Sequence, residues 1–311
     1  MKVFITGATG VLGLRVARLL VRKNIEVVAL SRSAKNADLL RKEKVEVRQA
    51  ELFNQRQISE ATKGCDAIMH LATAIPKKSI TRLSDWKMND RIRVEGTEIL
   101  IQAAIENNIK IFIAEGIAAV YGQQQGSYVT TATDLPPQQV AMVRSAIEME
   151  KLIMTNLTGR FIVFRFANFY SEDDFFTNSL INSVRRGNMP LLGNGNFYMN
   201  WIHVDDAARA TVYGLENFEA LKGNIVNASD SQPVLYVDMI KHLYSFIPNK
   251  KPFRLPSFLG KLLLGKNNFA FLTNSYRISK DPLLNGWQPI FKDYTDGITQ
   301  IFQNKLNLKK D

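Results

Sequence analysis

The chain opens on a short β-branched and aromatic run, Lys2-Val3-Phe4-Ile5-Thr6, whose lack of polar alternation predicts a strand buried on both faces. Over residues 11–23 apolar positions recur at helical spacing between arginines, which predicts an amphipathic helix directly after it. The same pair of patterns then repeats. Apolar runs at 25–30, 45–47, 65–72, 109–114 and 160–166 read as strands, and 58–62, 86–107 and 138–157 read as helices. Regular strand–helix alternation predicts an α/β protein with a doubly wound parallel sheet and right-handed crossovers.

From Asn168 the alternation loosens. Residues 173–186 are helical in pattern, 187–195 are rich in turn residues, and 201–206 lead into a helix with Asp205 or Asp206 expected as its N-cap. Residues 223–227 return as a short strand. The expected division is a first domain over 1–167, joined by the strands and helix near 201–228, and a smaller lobe from 168–200 and 229–311.

Between the first strand and the first helix lies Gly7-Ala8-Thr9-Gly10-Val11-Leu12-Gly13. Glycines at 7, 10 and 13 suit a tight reversal, a close backbone approach to a pyrophosphate, and close packing of helix on strand. A helix start preceded by a strand attracts phosphate through its free N–H groups and dipole, so this stretch is the candidate dinucleotide site. The second strand ends in Ser31-Arg32-Ser33, with no acid to accept a ribose hydroxyl. An Arg there accommodates a 2′-phosphate, so NADP is expected over NAD. Ligands of such sheets bind at the carboxyl ends of the strands, which adds Glu51, Leu52, Leu71, Ala72, Thr73 and Ala114 to the candidate cofactor residues. The first domain is therefore expected to be dinucleotide-binding.

Composition narrows the rest. A single cysteine, Cys65, excludes an internal disulfide, and His70, His203 and His242 are spread along the chain without spaced carboxylate pairs, so no metal site is expected. His70 lies in an apolar run and reads as a packed imidazole. The N-terminal apolar run is too short for a signal peptide and nothing approaches a membrane span, so a soluble cytoplasmic protein without membrane partners is expected. Of the net charge of +11, +8 falls in residues 241–311, which hold twelve Lys/Arg, four Asp and no Glu. No nucleic-acid module accompanies it, and a solvated basic surface is the favoured reading.

The motifs taken together, TGATGVLG from Thr6 to Gly13, Ala50-Glu51-Leu52, His70-Leu71-Ala72-Thr73, Val94-Glu95-Gly96-Thr97, Val120-Tyr121-Gly122, Arg165 to Tyr170, His203-Val204-Asp205-Asp206 and Asn285-Gly286-Trp287-Gln288-Pro289, resemble the extended short-chain dehydrogenase/reductase family, the NAD-dependent epimerase/dehydratase type. The resemblance spans essentially the whole chain and implies a Rossmann-type fold with a small C-terminal substrate lobe. It also implies a catalytic Tyr, a Lys four residues on, a Ser or Thr and an Asn. Aligned on Ser145 and Glu150, the Tyr position holds Met142 and the Lys position Ala146; the Ser position holds Ile117 and the Asn position Arg93. All four are replaced, and neither a thioether nor a methyl group transfers protons at neutral pH.

The expected function is accordingly an NADP(H)-binding oxidoreductase or epimerase-like protein acting on a small carbonyl or hydroxyl substrate with non-standard acid–base residues. Glu115, Tyr121 and Tyr170 are the candidates, and Glu115 is favoured because partial burial raises a carboxyl pKa. The alternative is a non-catalytic NADP(H) sensor or scaffold. Asn168, Phe169, Tyr170, Met199 and Trp201, with Phe175 and Phe197, are expected to line the substrate pocket as an apolar, aromatic-rich wall. The family often dimerises through the two long helices, here near 86–107 and 137–157, so a homodimer is expected.

Overall fold

The computed structural model describes residues 1–31, 33–78, 80–137 and 140–307. Seven strands form one sheet: β1 (Lys2–Thr6), β2 (Glu26–Ser31), β3 (Glu46–Gln49), β4 (Ala67–His70), β5 (Ile111–Ile117), β6 (Phe161–Phe166) and β7 (Asn224–Ala228). Their spatial order is β7-β6-β5-β4-β1-β2-β3, and every neighbouring pair is parallel. The winding direction reverses between β1 and β4, which leaves a crevice at their carboxyl ends.

Seven helices frame the argument: α1 (Val11–Arg22), α2 (Ala34–Lys42), α3 (Gln55–Thr62), α4 (Thr97–Glu106), α5 (Ala141–Asn156), α6 (Phe175–Arg186) and α7 (Val204–Glu216). The absence of polar alternation in the strands is explained by two buried faces. Val3 and Ile5 pack with Val16, Leu20, Ala207 and Val212 of α1 and α7. Phe4, between them in sequence, packs with Ile58, Leu100, Met149 and Ile153 of α3, α4 and α5.

Several local expectations are corrected. The stretch 86–107 is not one helix. A 3₁₀ turn over Leu83–Trp86 leads into Lys87–Arg91, then a π turn over Ile92–Gly96, then α4. Ile92, Arg93 and Gly96 are the buried residues of the widened turn. Strand β5 continues beyond Ala114 into what reads in sequence as a loop, because Glu115, Gly116 and Ile117 stay in register with Phe164, Arg165 and Phe166. Helix α2 was not expected. Only Ala37 and Leu40 of it are buried, so its periodic signal is weak, and Ser33 caps it by accepting from Asn36 N. Helix α5 begins at Ala141; the expected start, Gln138, lies outside the described residues. The cap of α7 is His203, whose Nδ1 accepts from Asp205 N at 3.2 Å, so both aspartates lie inside the first turn, where they complement the helix dipole.

Strands Asn168–Tyr170 and Trp201–His203 pair in parallel beside the main sheet. A third core forms there from Tyr170, Ile181, Trp201, Tyr236, Tyr294 and Phe302. Arg15 of α1 ties the two regions together through ion pairs with Asp173 and Asp205. Among the described residues no helix is long and apolar enough to cross a membrane.

Candidate active site at the strand ends

The glycine turn has little spare room. Gly7 adopts φ +74°, and a Cβ on it would lie 2.4 Å from the Leu71 carbonyl oxygen. A Cβ on Gly13 would lie 2.2 Å from the Gly7 oxygen. Both obstacles are backbone, so larger residues would push α1 away from the β1 and β4 ends. Gly10 caps α1 in an extended conformation, with no side-chain cap bond and no acid in the first turn. The helix thus presents an uncapped, positive N-terminus over a cradle that any Cβ would fill, a geometry suited to a pyrophosphate. Leu71 and Ala72 form the opposite wall, their backbone abutting Gly7.

At the adenosine end, the Ser31 hydroxyl donates to Ser33 O at 3.1 Å, and Ser33 is committed to capping α2. Both hydroxyls beside Arg32 therefore have local partners; Arg32 itself lies outside the described residues. Glu51 is exposed after β3, and Leu52 is buried against Gly96. Ala114 is buried opposite His70 in register. His70 bonds Thr6 Oγ1 through Nδ1 at 2.7 Å, and its Nε2 lies 3.4 Å from Ile92 O. Burial lowers its pKa to about 4, so it is a neutral packed imidazole, as its apolar surroundings in sequence predict.

The four positions aligned with the family's Tyr, Lys, Ser and Asn lie on α5, at the end of β5 and on the π turn. Met142 and Ala146 are buried on α5, while Ile117 ends β5 and Arg93 is buried on the π turn. Ser145 Oγ donates to Asp90 Oδ1 at 2.6 Å. Arg93 Nε has no hydrogen-bond partner, and neither have Asn89 Nδ2 and Thr97 Oγ1, four residues to either side. Three orphaned buried polar atoms on one stripe fit a ligand-facing surface. Facing Arg93 is Glu115. Burial pushes its carboxyl up to about 7, against the pull of the Arg93 charge. Burial likewise lowers the Arg93 pKa, with Glu115, Asp90 and Glu150 opposing.

The two tyrosine candidates sit differently. Tyr121 donates to Asn227 Oδ1 at 2.8 Å and accepts from Arg165 Nη1 at 3.0 Å. Arg165 in turn forms a two-pronged buried pair with Glu150, at 2.9 and 2.7 Å. That four-residue network is invisible in sequence, because its members lie far apart along the chain. Tyr170 is buried among Trp201, His203 and Tyr294, and burial with Asp230 and Asp206 nearby raises its pKa, which makes the phenol a weaker acid and keeps it protonated near neutral pH. Its hydroxyl has only a weak contact, with Asp293 O at 3.4 Å.

The expected aromatic wall is corrected in part. Tyr170, Phe197 and Trp201 turn into the third core, Trp201 stacking on Tyr294 at 4.4 Å. Phe175 is exposed, and Asn168 donates to Asn200 O. Phe169 and Met199 are partly buried against these cores. Among the described residues no cluster of His, Cys, Asp or Glu is arranged to hold a metal.

Known proteins share this architecture along its length. A Streptomyces protein described as a 3-diazoavenalumate denitrifying reductase is 26% identical over 310 residues, covering 96% of this chain and 99% of that one. The structure of a human epimerase family protein, SDR39U1 isoform 2 with NADPH, superposes with a TM-score of 0.80 at 18% identity, covering 98% of this chain and all (100%) of that one. The UDP-glucose 4-epimerase of Thermotoga maritima, solved with UDP-glucose, gives 0.78 at 16% identity, with 99% and 100% covered. Residues 3–229, which run from β1 past β7 and include the glycine cradle, match the sequence model of one family. This chain, with a nicotinamide dinucleotide as the cofactor class that membership supports, belongs to the NAD dependent epimerase/dehydratase family.

Proposed function

We propose that the protein is an NADP(H)-dependent oxidoreductase in which Glu115 takes over the proton transfer that the family assigns to Tyr and Lys. The observation carrying this reading is the Glu115 carboxyl itself: half-buried near the end of β5, within the field of Arg93, and raised to about 7 by desolvation. A general acid–base group works best when its pKa lies near the working pH. Reducing a carbonyl requires a hydride at carbon, which the nicotinamide supplies when bound, and a proton at oxygen, which Glu115 carries. Arg93 places a fixed positive charge where negative charge develops on that oxygen. The dinucleotide is assigned to the Gly7–Gly13 turn and the ends of β2 to β5, and the substrate to the side of Phe169 and Met199.

Hydride chemistry of a second kind is consistent with the same site. The 26%-identical relative is named for denitrification of a diazo compound. Such a step forms a C–H bond as dinitrogen leaves with the C–N electron pair, and needs no Tyr–Lys pair. The test is to follow oxidation of NADPH against panels of carbonyl and aryl diazonium compounds across pH. Carbonyl reduction should be flat below pH 7 and fall about tenfold per unit above it, as Glu115 loses its proton; the reverse oxidation should rise through the same pH. A rate independent of pH between 6 and 8 would remove Glu115 from the role (a range set by the pKa of about 7). Tight nucleotide binding without turnover on any member of either panel would favour the sensor alternative, which the burial of Met142 and Ala146 also suits.

Selection of the nucleotide is carried by Arg32, on sequence grounds. Arg32→Ala should weaken NADPH by about tenfold while leaving NADH unchanged, the usual consequence of losing one charged phosphate contact. Equal effects on both nucleotides, read by fluorescence titration, would show that Arg32 does not contact the 2′-phosphate.

A further inference from the structure

The helix Ser257–Leu264 carries its largest apolar side chains outward. Phe258 is 70% exposed, Leu262 77% and Leu263 60%, and Phe253 just before the helix is 50% exposed. Only Gly260 of this helix is buried, packed under Phe269, so most of the helix's apolar surface has no protein cover. The apolar surface does not end there. Asn268 donates to Thr81 O and to Leu264 O, which holds the loop bearing exposed Ile80 and Leu83 beside the helix end. A contiguous exposed patch of this kind marks a surface with a partner.

The charge around it specifies that partner. From residue 239 to residue 280 there is no Asp or Glu, while Lys241, Lys250, Lys251, Arg254, Lys261, Lys266, Arg277 and Lys280 all fall within that span. Lys251, Lys261 and Lys266 have no ion pair among the described residues. The nearest acid in the adjoining loop, Asp85, is already bonded to Lys78 and to Arg82 N. Lys261 and Lys266 flank the outward apolar arc, where their long stems reach past it while their ammonium groups remain in water. An apolar face rimmed by unpaired lysines matches the boundary of an anionic bilayer, with acyl chains at its centre and phosphate groups around it. Among the described residues no helix is long and apolar enough to cross a membrane, so the contact is peripheral.

We propose that the helix Ser257–Leu264, with the loop around Ile80 and Leu83, docks this protein onto anionic lipid surfaces. The solvated basic surface expected from composition becomes the rim of that contact. The experiment is co-sedimentation of the full chain with phosphatidylserine-containing vesicles and with pure phosphatidylcholine vesicles. The wild type should bind the anionic vesicles at least about tenfold more tightly, less so as salt rises. The variant Phe258→Ser/Leu262→Ser/Leu263→Ser should lose more than about tenfold of that binding, since insertion is driven by buried apolar area. Its melting temperature should be unchanged, because the side chains altered are exposed. Lys261→Glu/Lys266→Glu should weaken binding to the anionic vesicles alone. Failure of the wild type to bind either vesicle, or full binding by the triple serine variant, would overturn the proposal. So would a concentration-dependent dimer, seen by light scattering, that the serine variant abolishes, because a second copy would then be the occupant.

Discussion

Glu115→Gln is expected to lower carbonyl reduction by roughly 10²–10⁴-fold while leaving nucleotide affinity unchanged and raising stability at alkaline pH. The two halves of this result have one cause. Burial lifts the Glu115 carboxyl from 4.5 to about 7, so the folded state disfavours its charged form. The pKa is higher folded than unfolded, so the native state binds the extra proton between those values and stability falls as pH rises from about 4.5 to about 7. Above pH 7 the wild type carries the whole cost, about 3 kcal/mol for a shift of this size. Glutamine is neutral at every pH and escapes it. Thermal melts should thus coincide near pH 4.5 and separate in favour of Glu115→Gln above 7, where the wild-type carboxyl is charged. A structural acid bonded to Arg93 would behave the other way, and its removal would destabilise. Asp230, which burial pushes up to about 8 in the third core, offers a control. A pH limb belonging to Asp230 would survive in Glu115→Gln, whereas one belonging to Glu115 disappears.

The parts of this site that were legible in the sequence are those encoded locally. The β1–turn–α1 unit announces itself because a buried strand, three glycines at fixed spacing and an amphipathic helix are contiguous. Helix α5 is legible in the same way, its apolar positions recurring at helical spacing within the expected 138–157. What escaped depends on pairing between distant segments. The extension of β5 through Glu115 to Ile117 exists because β6 runs alongside it in register, and nothing in residues 115–117 alone predicts it. The π turn at Ile92–Gly96 is set by how that segment packs on the sheet. The aromatic run near Tyr170 and Trp201 has the composition of a pocket wall and of a core alike. Its burial against Tyr294, more than ninety residues further on, decides between them.

Glu150 is the second position at which sequence resemblance and structure assign different weight, and its expected effect is large. Glu150→Leu should destabilise the protein by about 3–5 kcal/mol, the usual cost of leaving a buried charge without its partner. Arg165 is as buried as Glu150, and their two hydrogen bonds hold the guanidinium charged, its pKa raised further by the pairing. With Glu150 gone, Arg165 would keep only the Tyr121 hydroxyl, a dipole in place of a charge. The double variant Glu150→Leu/Arg165→Met should recover most of the loss, because two well-packed apolar residues remove both the attraction and the desolvation cost. A double-mutant cycle in urea should therefore give a coupling of at least about 2 kcal/mol. A single substitution costing under about 1 kcal/mol would mean that the pair is solvated. The network also joins four elements at the carboxyl end of the sheet: α5 through Glu150, β6 through Arg165, the turn after β5 through Tyr121, and β7 through Asn227. Glu150 lies on the helix that carries Met142 and Ala146, so through Arg165 and Tyr121 that helix anchors the end of the strand on which Glu115 stands.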